Sequence, residues 1–247
     1  MICKLCLEDK PLLRRSHIIP DFMYQDIYDE NHWIHRGRPS EPSRMGRVPT
    51  GEYEGNILCK PCDNEIIGNY ESYGSRALYG GELPIAESPI FEQVVTPAGQ
   101  RITVCRNIDY RKFKLFLLSI LWRASISDRD FFSDVNLGGH EDTIREMLLG
   151  GYAREPNIYP ILLATYLGDI ETPADVIGQP HRFRLERSIG YNFLIGGTYY
   201  IFFISRSGIP AYVLDASISP SNEMKIIHLS GDDSGRLLHQ YFGMSGK

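Results

Sequence analysis

No stretch of this chain approaches the roughly 20 consecutive apolar residues that a membrane-spanning helix needs. The most apolar run, Leu115 to Trp122, is broken by Ser119. The amino terminus reads Met-Ile-Cys-Lys-Leu-Cys and lacks the basic-then-apolar pattern of a secretory leader, so a cytoplasmic protein with no membrane partner is expected. Positive charge is not in excess. Lys and Arg number 26 against 31 Asp and Glu, a net charge of -5, which excludes a uniformly basic coat for nucleic acid and leaves room only for a local basic patch. Cysteine is sparse: there are five, and four stand in two Cys-x-x-Cys pairs, which speaks for metal rather than a disulfide framework. There is no internal repeat, no low-complexity tract, no Gly-x-Gly-x-x-Gly, no phosphate loop and no serine nucleophile elbow. What is present in quantity is core material. The chain has 247 residues, 43% of them hydrophobic, with 15 Tyr and 11 Phe, enough for one large domain or two small ones.

The patterning divides near residue 81. Residues 1–81 carry both cysteine pairs, and the stretch from Asn31 to Gly55 is rich in Gly, Pro, Arg and Ser with poor periodicity, which predicts a loop. After Cys62 a helix is expected from Asp63 to about Tyr79, stopped by Gly80-Gly81. Residues 82–247 begin with a connector and a short strand, Arg101 to Cys105. Asp109 to Ile126 is apolar nearly all round its centre and predicts a buried helix. A second helix is expected over His140 to Leu149. Beyond Ile158 the pattern is strand-like at Ile161–Leu167, Phe183–Ser188, Tyr191–Ile195, Tyr199–Ser205, Ala211–Leu214 and Met224–Leu229, with turns at Gly196-Gly197 and Ser207-Gly208. The predicted class is therefore α+β: a small zinc-bound module at 1–81, then an α+β domain at 82–247 with a buried helix and an antiparallel sheet.

Cys3-Lys4-Leu5-Cys6 and Cys59-Lys60-Pro61-Cys62 carry the strongest chemical signal. Two intervening residues let both thiolates of a pair reach one ion from a tight turn, and two such turns complete a tetrahedral sulfur site suited to zinc. Four sulfur ligands leave no open position, so a structural role is expected for this zinc. Cys105 lies among apolar residues of a predicted strand and reads as a small buried hydrophobe.

Between the pairs stands Leu12-Leu13-Arg14-Arg15-Ser16-His17-Ile18-Ile19-Pro20, a strand signature closed by proline. The order Cys-x-x-Cys, His-Ile-Ile-Pro, a loop, then Gly55-Asn56-Ile57-Leu58-Cys59-Lys60-Pro61-Cys62-Asp63-Asn64 entering a helix resembles the zinc-stabilised HNH endonucleases, the ββα-metal nucleases. The resemblance covers about residues 1–75 and implies a β-hairpin pinned to a helix by the cysteines. It further implies His17 as the general base for phosphodiester hydrolysis, Asn56 as the residue orienting the hairpin loop, and Asp63 as the third motif position. It also implies a catalytic Mg²⁺ or Mn²⁺ and DNA as substrate. Two positions depart from the family. Ser16 stands where the family places Asp or His, and Ile67 where it places His, Asn or Lys. The helix offers Glu65, Asn69 and Glu71 as further hard oxygen donors, and Glu71 would replace the missing ligand if its face turns to His17. The competing reading makes these carboxylates a solvated helix face.

Arg36, Arg38, Arg44 and Arg47, beside His32, Trp33 and His35, are candidates for gripping a nucleic-acid backbone. Arg101, Arg106, Arg111, Lys112 and Lys114 form a second basic run, read as a solvated helix start that would extend a DNA groove in the nuclease reading. Arg123, beside Trp122, needs a carboxylate if buried, with Asp128 or Asp130 near in sequence. The leading expectation is a metal-dependent HNH-like endonuclease. The alternative is a non-catalytic zinc module on the same scaffold that binds nucleic acid, or a partner protein through 82–247. A weaker third reading takes Tyr191, Tyr199, Tyr200 and Tyr212 as the lining of a ligand pocket.

Overall fold

The computed structural model describes residues 1–25, 27–37, 46–80, 83–84, 87–166, 176–204 and 208–230. Arg38, Arg44, Gly81 and Ser207, and the ends of two predicted strands at Leu167 and Ser205, lie outside the described residues. The architecture is mixed α+β, as the patterning predicts.

The first strand, β1 (Ser16–His17), pairs antiparallel with β4 (Tyr53–Glu54), setting His17 opposite Tyr53 and Ser16 opposite Glu54. Eight residues after Glu54 comes Cys62, inside a helix that opens as a wide turn at Pro61–Ile67 and continues as α1 (Gly68–Tyr79). Pro61 suits the first helical position, where no intrahelical N–H is needed. The turn is wide because the Gly68 N–H bonds back to the Asp63 carbonyl, five residues earlier.

A second, ten-stranded sheet holds everything else. Its path runs β3 (Gly46–Val48), β2 (Ile34–Gly37), β8 (Val176–Gly178), β10 (Ser188–Ile195), β11 (Thr198–Phe203), β7 (Ile161–Thr165), β12 (Glu223–His228), β6 (Arg101–Arg106) and β5 (Ile90–Val95), with β9 (His181–Leu185) sharing an edge of β10 with β8. The predicted sheet is antiparallel; two of its ladders, β2–β8 and β7–β12, are in fact parallel. The β10–β11 hairpin turns at Gly196 and Gly197, whose φ values of 54° and 73° are open to glycine without strain. Two sequence expectations fail here. The 31–55 stretch is not simply a loop: β2 and β3 pair with each other and β2 joins β8, a partner some 140 residues away that local periodicity cannot reveal. Ala211–Leu214 is not a strand but the start of α4 (Ala211–Ala216), set by Pro210 at φ -59° ahead of it.

The buried helix is α2 (Tyr110–Ser125), capped by the Asp109 carboxylate accepting from the Lys112 N–H at 2.9 Å. Every residue from Phe113 to Ala124 is buried. α1 approaches it where Gly74 meets Phe116; a Cβ at Gly74 would stand 2.5 Å from the ring. α3 (Glu141–Gly150) closes the other side. One apolar cluster runs from Cys3 and Leu5 through Tyr73 and Phe116 to Phe202 and Met224, so the residues before and after position 81 share a core.

Candidate metal centre and histidine hairpin

The Sγ atoms of Cys3, Cys6, Cys59 and Cys62 all lie within 4.8 Å of one another, and Cys6 and Cys59 approach to 4.0 Å. Zn–S bonds of about 2.3 Å in a tetrahedron place sulfurs about 3.8 Å apart, so the group can hold a metal ion such as zinc. The local chain explains the convergence. The first turn closes through Leu7 N–H to the Cys3 carbonyl at 2.9 Å, with Leu7 at φ 61°. The second closes through Asp63 N–H to the Cys59 carbonyl at 3.0 Å. Lys4 N–H to the Ile57 carbonyl at 2.9 Å and Leu13 N–H to the Leu58 carbonyl at 2.8 Å tie the two together. Burial opposes ionisation of Cys3, yet N–H groups of Cys6, Cys59 and Leu5 directed at its sulfur bring its thiol down to about 7. Burial pushes the Cys59 and Cys62 thiols up. A bound Zn²⁺ would stabilise all four thiolates. Cys105 stays apart, fully buried, its thiol pushed up to about 12 by desolvation.

This centre sits directly beneath the hairpin. The Asn56 N–H donates to the Leu13 carbonyl at 2.9 Å with Asn56 at φ 60°, so Asn56 turns the chain from β4 into the second cysteine turn; its side chain is exposed. Ser16, 2% exposed, donates its hydroxyl to the carboxylate of Asp63. His17 projects from the next position with its side chain 40% exposed and its Nε2 4.0 Å from an Asp21 carboxylate oxygen. Beneath His17, Arg123 donates to its main-chain carbonyl at 2.6 Å and to Glu71 Oε1 at 2.6 Å. The buried guanidinium thus ties α2, β1 and α1 together, and its carboxylate partner is Glu71 rather than Asp128 or Asp130.

The structure therefore places the four sequence-derived candidates around one hairpin without gathering them into one cage. Among the described residues, the four cysteines are the one group of three or more Cys, His, Asp or Glu that converges on a point. Asp63 accepts from Ser16 and Glu71 from Arg123, and among the described residues the oxygen donors expected for Mg²⁺ or Mn²⁺ do not converge at His17.

The arginine candidates separate. Arg36 forms an ion pair with Glu52 and lies over the Phe131 ring at 5.1 Å, so its charge is satisfied internally. Arg47 is exposed opposite His35, whose Nε2 meets Asp29 at 3.1 Å. Lys114 is not a solvated helix residue: it is 1% exposed, with Nζ donating to the Tyr110 hydroxyl and the Glu155 carbonyl, both at 3.0 Å. Burial draws its pKa down to about 7. Arg111 and Lys112 do reach a surface. With Arg76 they line a cleft of about 570 Å³ between α1, α2 and the end of α3.

Sequence reasoning missed two cations that lie against the strand partner of His17. Arg15 stacks 3.9 Å over the Tyr53 ring and Arg129 5.4 Å over the same ring, and Tyr53 is the strand partner of His17. Arg15, two residues before His17, was within reach of a period-two reading; Arg129 arrives from 112 positions on, and only the fold brings it there. No family model matches the sequence, and searches of curated proteins and of solved structures find no match.

Proposed function

We propose that this chain is a zinc-stabilised, HNH-like endonuclease that hydrolyses DNA phosphodiester bonds with His17 as general base. The observation that carries the reading is the placement of His17. It is half-exposed on the antiparallel β1–β4 strand pair beside the four-cysteine centre, its backbone held by Arg123 and its strand partner Tyr53 flanked by two cations. In this reading Arg15 receives the phosphate, joined by Arg129 through the guanidinium nitrogens its ion pair with Glu54 leaves open. The imidazole takes a proton from water, the water oxygen attacks phosphorus, and the leaving oxygen departs with its bonding pair and is then protonated from solvent. The Asp21 carboxylate stands 4.0 Å from Nε2. The cleft lined by Arg76, Arg111 and Lys112 offers a second phosphate contact. Mg²⁺ or Mn²⁺ would supply further charge neutralisation at the phosphate. Asp63 and Glu71, which accept from Ser16 and Arg123, are the residues that would hold it.

A second reading, a non-catalytic zinc module that binds nucleic acid, is favoured by one observation: the Ser16 hydroxyl occupies the Asp63 carboxylate. One experiment separates the two. Supercoiled plasmid and single-stranded DNA are incubated with the zinc-loaded protein in Mg²⁺, in Mn²⁺ and in neither, beside His17→Ala. The nuclease reading expects cation-dependent cutting that falls by about 10²–10⁴ in the variant at unchanged zinc content. Cutting retained by His17→Ala refutes the assigned base. DNA binding without cutting by the unmodified protein selects the second reading.

A further inference from the structure

A cavity of about 590 Å³ lies between Met23, Ile27 and the end of α1 on one side and the large sheet on the other. That volume is in the range of small-molecule sites. Its floor is apolar and rigid: Leu163 on β7 is 2% exposed, Tyr200 on β11 4%, and Met23 and Ile27 1% each. Its rim is different in kind. Phe91 on the edge strand β5 is 49% exposed and Tyr79 at the end of α1 40%. Two aromatic rings left half in water at the mouth of an apolar recess gain by being covered.

The polar groups on the wall define the ligand further. Among the described residues, none of those lining the cavity is Asp, Glu, Lys or Arg. The Tyr200 hydroxyl is hydrogen-bonded with Tyr79 and is kept protonated by burial. The His228 ring is fixed by Thr103 Oγ1 at 2.8 Å from Nε2, and desolvation together with nearby Arg101 holds its pKa below the usual imidazole value. Gln93 and Thr198 add an amide and a hydroxyl. An ion entering here would lose water, and no described lining side chain carries a formal charge to pair with it. A neutral molecule with a flat apolar body and a few hydrogen-bonding edges would keep its polar contacts and cover Phe91 and Tyr79.

We infer that this cavity is a binding site for an uncharged, planar, hydrogen-bonding small molecule of roughly nucleoside size, distinct from the histidine hairpin. The inference does not depend on the nuclease reading. The sequence already hinted at a tyrosine-lined pocket in this half, but of the four tyrosines it singled out only Tyr200 lines the cavity. Tyr191 is committed to the core, its hydroxyl donating to the Asn136 carbonyl at 2.5 Å, and Tyr212 is exposed on α4.

The test uses the zinc-loaded full chain and the neutral solvatochromic ketone 6-propionyl-2-(dimethylamino)naphthalene, titrated by fluorescence. The expected result is saturable one-to-one binding with a blue shift. Thr198→Trp, which fills the cavity from a half-exposed position, should weaken binding at least tenfold. Phe91→Ala, on an exposed edge where folding is not at stake, should weaken it several-fold. A loss in either variant at an unchanged melting temperature supports the site. No saturable binding by the unmodified protein, or equal affinity in both variants, overturns it.

Discussion

Arg123 carries the sharpest prediction, because one side chain joins three elements beneath His17. Its side chain is 2% exposed, and its donors reach the His17 carbonyl and Glu71 Oε1, each at 2.6 Å, and the Ser119 carbonyl at 3.2 Å. Arg123→Met keeps most of the apolar stem and deletes the charge. It strands a buried carbonyl and leaves a carboxylate facing a dry neighbour. Removing one partner of a buried pair costs about 3–5 kcal/mol. Glu71 is 24% exposed and can partly rehydrate, which places the expected loss near the lower end, about 3 kcal/mol. Glu71→Gln still offers an amide oxygen to the guanidinium and should cost about 1–2 kcal/mol. The double variant should cost less than the sum of the singles by about 1–3 kcal/mol, because the carboxylate that Arg123→Met leaves unpaired is then gone. Lysine should not rescue, since a single ammonium cannot span both acceptors in the planar fork. Urea unfolding followed by circular dichroism, at fixed zinc, measures all four proteins. An Arg123→Met protein within 1 kcal/mol of the parent, or additive losses, would refute the argument that this pair secures the hairpin.

Other expectations follow from the same packing. Lys114 titrates near 7 in the folded chain against 10.5 unfolded, so between those values the unfolded chain binds more protons and stability rises with pH. The gap corresponds to at most roughly 5 kcal/mol, partly offset by its two hydrogen bonds. Lys114→Met should therefore stabilise by about 2–3 kcal/mol at pH 6 and flatten the pH dependence between 7 and 10, measured by urea midpoints across that range. Chelation, or Cys59→Ser, should release one zinc per chain and abolish cooperative melting of the hairpin and α1, whereas Cys105→Ser should retain the metal; colorimetric zinc assay with thermal scans distinguishes them. Gly74→Ala should destabilise by about 1–3 kcal/mol despite alanine's better helix propensity, because the added Cβ meets the fully buried Phe116 ring, and a rise in melting temperature would contradict the packing.

The features legible in the sequence are those whose cause is local. Two residues between cysteines are enough to turn a chain around an ion, so spacing alone identifies both halves of the metal centre. α2 announces itself because its apolar residues cover every face, and a helix of that kind has no choice but to be buried. The β10–β11 hairpin is marked by its paired glycines. His17 could be singled out from His-Ile-Ile-Pro and the cysteine frame, and its neighbour Arg15 from strand alternation.

What only the tertiary structure decided is which distant groups meet, and there burial reverses the local reading. Arg36 looks like a free cation until the turn after β3 delivers Glu52 to it. Lys114 belongs to a basic run until Tyr110 and the Glu155 carbonyl close over its amine. Glu71, a candidate metal ligand in the sequence, is also the counter-charge of Arg123, 52 positions away; Asp63, a candidate site residue, also accepts from Ser16, 47 positions away. β2 becomes a strand because β8 is there to pair with it. Spacing along the chain determines which residues can share a turn, a helix face or a metal. The free energy of a charge or a hydrogen-bonding group depends on what surrounds it, and those neighbours come from parts of the chain that no local pattern connects.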